Sequence, residues 1–262
     1  MSEPTNTSSD PPDQPPSPRR PMLELRGVTF GYKPETSLCV DQTDLIVKEG
    51  GLVVIRTNAS QAVRAFASML QGLKSPRKGN VLFDDRDWGQ QSMESQFAMR
   101  GRIGRVFDGQ GWIANLSVRE NLLLAKTHHR GDDSRTLDEI REWMRWFQLG
   151  NMTRKRPAFV EESHLQVYQW IRAFVGKPSL LILERPLRKA ASRAFDRFME
   201  AVQEMRQRGA AVIWIAGNSV EQLLDTDSSP LVLDLRPGGN GLKNGSGSGG
   251  IEQNPKTDRG ES

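Results

Sequence analysis

The stretch "QWIRAFVGKPSLLILERPL", Gln169 to Leu187, joins two periodicities across a stop. Its first half ends a helical pattern that halts at Gly176 and Pro178. Its second half sets four apolar residues in a row, Leu180 to Leu183, as a strand buried on both faces of a parallel sheet would. The alternation continues outward. Downstream, "AASRAFDRFMEAVQEMRQRG" predicts a helix burying Phe195, Phe198, Met199, Val202 and Met205. "AAVIWIAG" then predicts a buried strand, "SVEQLL" a helix start and "PLVLDLRPG" a closing strand. Upstream, "GGLVVIRTNASQAVRAFASMLQGL" (Gly50 to Leu73) reads as a short apolar strand, a polar loop and a helix with Val63, Phe66, Met69 and Leu70 on one face. "MLELRGVTFGY", "TDLIVKEG" and "GNVLFDD" read as strands. Between the halves, "NLSVRENLLLA" has the capping-box spacing of Ser117 and Glu120, and "LDEIREWMRWFQLG" is amphipathic. The section from about 93 to 175 reads as an inserted helical subdomain. Strands alternating with helices predict an α/β fold with a largely parallel sheet.

The ends of the chain have a different composition. Residues 1–21 are rich in Pro and Ser, and 237–262 in Gly and Ser. Neither has enough apolar residues to offset its ordering entropy, so both are expected to be disordered tails around a domain at 22–236. No run of about 18 apolar residues is present to span a bilayer, and no signal-peptide pattern opens the chain. The single Cys39 fits a reducing compartment. The expected location is therefore the cytoplasm. A formal charge of +4 comes from basic residues scattered among acidic ones, which argues against a nucleic-acid partner. His128 and His129 lack a cysteine or carboxylate frame and read as solvated.

In order and spacing, several segments resemble the nucleotide-binding domain of ABC transporters. "VTFGY" is similar to the opening strand with its adenine-stacking aromatic, here Tyr32. "KEGGLVVI" and "GLKSPRKGNVLFDD" are similar to the segments flanking the phosphate loop. "RIGRVFDGQGWIANLSVRENLLLA" resembles the Q-loop region, and "QWIRAFVGKPSLLILERPL" the signature helix running into the Walker B strand. The resemblance implies a P-loop NTPase-like parallel sheet with an antiparallel β subdomain and a helical insert. It implies ATP and Mg as cofactors. It also implies another ABC nucleotide-binding subunit or a transmembrane permease as partner, which would place the chain at the inner face of a membrane.

The positions that carry the family's chemistry differ in this sequence. The phosphate-loop frame falls on Thr57, Asn58, Ala59, Ser60, Gln61, Ala62, Val63 and Arg64. Thr57 and Ala62 replace the glycines, Val63 the lysine and Arg64 the metal-binding hydroxyl, so backbone cradle and point charge are both lost. The Q-loop glutamine falls on Asp108, with Gln110 two residues late. Glu184 stands where the family has the metal-associated aspartate, and Arg185 where it has the catalytic glutamate. A guanidinium stays protonated and cannot act as a base. The switch histidine falls on Gly217, and the signature loop on Val160 to His164, where Glu161 and Glu162 would repel a triphosphate. The expectation is a catalytically inactive pseudo-ATPase acting as a structural or regulatory partner of a transporter complex. The alternatives are an active ATP-hydrolysing transporter component and a soluble pseudo-ATPase that binds a protein or anion through Arg56, Arg64 and Arg185.

Overall fold

A computed structural model describes residues 19–31, 40–57, 60–109, 111–128, 133–189, 194–217, 230–235 and 241–243. It contains two sheets. The smaller is antiparallel, in the order β2-β1-β4-β5, from β1 (Pro21–Phe30), β2 (Val40–Lys48), β4 (Lys78–Phe83) and β5 (Arg86–Asp87). The larger has the order β10-β9-β3-β8-β7-β6, from β3 (Leu52–Arg56), β6 (Ile103–Val106), β7 (Leu180–Glu184), β8 (Ala211–Ala216), β9 (Leu231–Asp234) and β10 (Gly241–Lys243). Every pairing in it is parallel except β9 with β10.

The continuous apolar runs have a direct cause. Side chains alternate across a strand, and both faces of the parallel sheet are covered. Val53, Ile55, Leu180, Ile182, Ile213 and Ile215 pack into one core with helix α1 (Ser60–Leu70) and the antiparallel sheet. Val54, Leu181, Leu183, Val212 and Trp214 pack into a second core. That second core is completed by α4 (Asp133–Trp146), α5 (Glu162–Phe174) and α6 (Phe195–Gln207). In α6, Phe198, Val202 and Met205 are buried as read from the sequence, whereas Phe195 and Met199 are only partly covered.

Helix α1 ends at Gly72, whose φ of +66° is a backbone conformation side chains disfavour. A Cβ there would also lie 2.3 Å from the Trp88 ring. Helix α3 (Val118–His128) begins with the expected capping box: the Glu120 N–H donates to Ser117 Oγ at 3.2 Å, and the Ser117 N–H to Glu120 Oε2 at 2.7 Å.

Three readings are corrected. The section from 93 to 175 is not all helical: after α2 (Met93–Arg100), β6 joins the parallel sheet beside β7. Its four residues, "IGRV", are too short and too polar for a periodicity to show. Within the stretch read as a C-terminal tail, Gly241–Lys243 pair antiparallel with Val232–Asp234. There, ladder hydrogen bonds to an existing edge supply what glycine-rich composition does not. At the other end, β1 starts at Pro21, and Arg20 pairs with Glu49 at 2.8 Å, so the fold begins slightly before residue 22. The helix start read at "SVEQLL" lies outside the described residues.

Candidate functional site

The carboxyl ends of β3, β6, β7 and β8 meet at one edge of the parallel sheet, the place where open α/β sheets hold ligands. Thr57 follows β3 directly. It is buried, and its N–H donates to the Ala216 carbonyl at 3.1 Å. Asn58, Ala59 and Tyr32 lie outside the described residues, and Ser60, Gln61 and Ala62 open α1. Val63, at the lysine position, is fully buried in the apolar core with Phe66 and Ile55. Arg64 is exposed and donates to the Asp108 carbonyl at 3.1 Å.

Glu184 ends β7 with a side chain 0% exposed. Its partner is Arg105 of β6, itself 4% exposed, whose Nε donates to Glu184 Oε1 at 2.5 Å. The rest of that guanidinium is also used. Nη1 donates to Gln71 Oε1 at 2.8 Å and Ser68 Oγ at 3.2 Å, and Nη2 to the Arg64 carbonyl at 3.1 Å. The group also lies over the Phe107 ring, 4.5 Å from its centroid. Burial pushes the Arg105 pKa down, and the Glu184 carboxylate opposes that shift. The second Glu184 oxygen accepts the Asp108 N–H at 3.3 Å.

Asp108 is held from the other side. Arg188 Nη1 reaches its Oδ1 at 3.0 Å and Arg185 Nη1 its Oδ2 at 3.6 Å, and the carboxylate is 7% exposed. Arg185 adopts φ +43° just past β7, with its N–H on the Ile215 carbonyl at 2.9 Å. At the switch position, a Cβ added to Gly217 would meet only Arg185 Nε, at 3.9 Å. The loop after β6 is tied to α5 as well. The Phe107 N–H donates to Gln169 Oε1 at 3.3 Å, and Gln169 Nε2 to the Gly109 carbonyl at 2.9 Å. Arg172 Nη1 donates to the Gly111 carbonyl at 2.5 Å, and burial lowers this guanidinium to about 10.

At the signature position, Glu161 precedes α5 but makes no side-chain capping bond; its Oε1 accepts the Ser163 hydroxyl at 2.5 Å. Glu162 pairs with Lys189 at 2.5 Å.

This donor set does not fit magnesium, which takes near-octahedral oxygen ligands. Both Glu184 oxygens are engaged within the protein, and Arg64 occupies the hydroxyl position. Among the described residues, no group of three or more His, Cys, Asp or Glu is placed to hold a metal. The structure thus brings Arg64, Asp108, Glu184 and Arg185 into one network and removes Val63 from it. Arg105, at its centre, escaped the sequence reading. The signal was present: an arginine inside a short strand, and a glutamate ending an otherwise apolar one. A charge in a buried strand asks for a partner.

The profile of the ABC transporter family matches residues 65–188, just under half of the chain, starting immediately after the altered phosphate-loop frame. The chain is 22% identical over 219 residues to the spermidine/putrescine import ATP-binding protein PotA of Aggregatibacter actinomycetemcomitans. That alignment covers 84% of this chain and 56% of the relative, so the chain spans little more than half of that protein's length. A putative ABC transporter ATP-binding protein of Pyrococcus horikoshii is 24% identical over 217 residues, covering 81% of this chain and 80% of the relative. Among solved structures, a bacterial ABC transporter cassette determined as a dimer superposes with a TM-score of 0.70 at 19% identity, covering 82% of this chain and 94% of that one. The ATP-binding subunit of an ABC transporter gives 0.69 at 17% identity, covering 82% and 87%. In sequence pattern and in fold alike, the chain is similar to ATP-binding subunits of ABC transporters.

Proposed function

We propose that the chain is a non-hydrolysing ABC-type subunit, a structural or regulatory partner of a transporter complex. The observation that carries this reading is the buried pair of Arg105 and Glu184. The carboxylate at the metal-associated position is neutralised from within, and the next residue, Arg185, is a cation turned onto Asp108. Transition-state stabilisation in phosphoryl transfer comes from a phosphate-loop lysine, a metal and a residue that orients water. Val63, Glu184 and Arg185 supply none of these. The partner fitting this reading is another ABC nucleotide-binding subunit or a transmembrane permease. The chain would meet a membrane through that partner, since no described helix is long and apolar enough to cross one.

The test is phosphate release by the purified chain with magnesium-ATP, alongside its association with a cognate permease. Release no greater than a protein-free blank, with association retained, is expected. Release that is abolished by Glu184→Gln would overturn the reading in favour of an active ATP-hydrolysing component. The soluble pseudo-ATPase reading draws on one observation: the Nε atoms of Arg56 and Arg185 are buried and have no hydrogen-bond partner among the described residues. Binding of inorganic phosphate without any permease association would favour it.

A further inference from the structure

We propose that the Arg105 guanidinium is the resident cation of this site, and that it holds the segment after β6 in one position with or without nucleotide. This rests on the non-hydrolysing reading above and adds what replaces the metal.

One buried side chain ties two other elements to its own strand. From β6, Arg105 reaches β7 through Glu184, α1 through the Arg64 carbonyl and Ser68, and the turn after α1 through Gln71. The carboxylate it neutralises then accepts the Asp108 N–H, so the next loop starts from a fixed point. Asp108 sends its own carboxylate to Arg185 and Arg188. On either side of Gln110, which lies outside the described residues, the backbone is anchored to helices. Gln169 takes Phe107 and Gly109, and Arg172 takes Gly111. Asn121 brackets Ile113, accepting its N–H at 2.8 Å and donating to its carbonyl at 3.1 Å.

Every one of these anchors is a protein group, and none needs a phosphate or a divalent ion to complete it. Each Glu184 oxygen already accepts a protein hydrogen bond, one from Arg105 and the other from the Asp108 N–H, and the adjacent guanidinium opposes a second cation there. The segment ends at Ile113, whose side chain is 43% exposed. A partner meeting that surface therefore meets the same shape at every stage of a nucleotide cycle. A ligand shifts an equilibrium only by its differential affinity for two states, and a segment held in one state gives nucleotide nothing to shift.

Amide hydrogen exchange on the full chain tests this at Phe107, Asp108 and Ile113, whose N–H groups donate to Gln169, Glu184 and Asn121. Three conditions are compared: no nucleotide, ATP with EDTA, and ATP with excess magnesium. Equal protection in all three is expected, together with no binding of Mn²⁺ detected by electron paramagnetic resonance. The double variant Arg105→Met/Glu184→Gln removes both charges and keeps an acceptor for Asp108. It should speed exchange at Phe107 and Asp108 by about tenfold or more, while β8 amides stay as slow as in the unaltered chain. Slower exchange of the unaltered chain with magnesium-ATP would overturn the proposal, as would wild-type protection in the double variant. The unaltered chain decides the matter even if the variant loosens throughout. Phosphate release from the same samples separates the two readings. Hydrolysis with an unmoved segment sinks the non-hydrolysing assignment alone, and a moving segment without hydrolysis sinks only this one.

Discussion

An arginine inside a protein core is tolerated only when its charge and its donors are answered, and Arg105 answers both within one side-chain length. Removing one member of such a pair leaves the other buried and unpaired. Arg105→Met alone is therefore expected to lower unfolding free energy by about 3–5 kcal/mol. Arg105→Met with Glu184→Leu should recover most of that loss, as measured by urea denaturation, because two charges then leave together. A second prediction concerns the phosphate-loop lysine. Val63 is fully buried among apolar side chains, so Val63→Lys would place an ammonium in the core rather than restore a phosphate contact. The expected result is a loss of about 2–4 kcal/mol in thermal or chemical unfolding, with no gain in ATP affinity by calorimetry.

At the scale of elements, local chemistry explains some boundaries and tertiary pairing the rest. The capping box of α3 is local. Ser117 holds the Glu120 carboxyl below the usual range by side-chain and backbone hydrogen bonds. A depressed folded-state pKa stabilises above the unfolded value and loses that contribution as pH falls through the folded value. The stability difference between the unaltered chain and Glu120→Gln should thus be full at neutral pH and vanish in acid. Denaturation midpoints across a pH series would show it, and a difference that grows in acid would contradict it. Strand β6 is the opposite case. Gly104 within it lets the strand approach α5 so closely that an added Cβ would lie 2.0 Å from the Ala173 carbonyl. The ladder between β6 and β7 then sets Arg105 beside β7, a choice of neighbour that the four-residue sequence does not announce.

At the scale of the whole molecule, the two cores on either side of the parallel sheet make the cassette framework independent of the chemistry at its edge. Trp170, Phe174, Phe198 and Trp214 interlock across α5, α6 and β8, with Trp170 and Phe198 ring centroids 4.4 Å apart. None of these rings belongs to the phosphate-loop, Walker B or switch positions. In the ABC transporter family that the sequence resembles, each ATP of a dimer lies between one subunit's phosphate loop and the other's signature loop. On the non-hydrolysing reading proposed above, a pair made from this chain and an intact cassette would have a defect in each shared site, at Thr57–Arg64 and at Val160–His164. Adding this chain to such a partner is expected to lower the partner's ATPase rate on association. A coupled phosphate-release assay run beside light scattering reads both, and a rise in rate on association would contradict the prediction.

The sequence by itself determined the layer order, because strands covered on both faces must be apolar throughout, and "LVVI", "LLIL" and "AVIWIA" are. It also determined the side-chain chemistry at the positions matched to the family's site, since no packing can give Val63 a charge or make Arg185 a base. Only the tertiary structure decided how the charges there are partnered. Arg105 and Glu184 are 79 positions apart, and their pairing depends on β6 lying next to β7. Strand neighbours are chosen by the burial of the whole sheet, a long-range outcome that no local periodicity records. For the same reason Gly241–Lys243 read as tail by composition and became a strand only through the ladder that β9 offered.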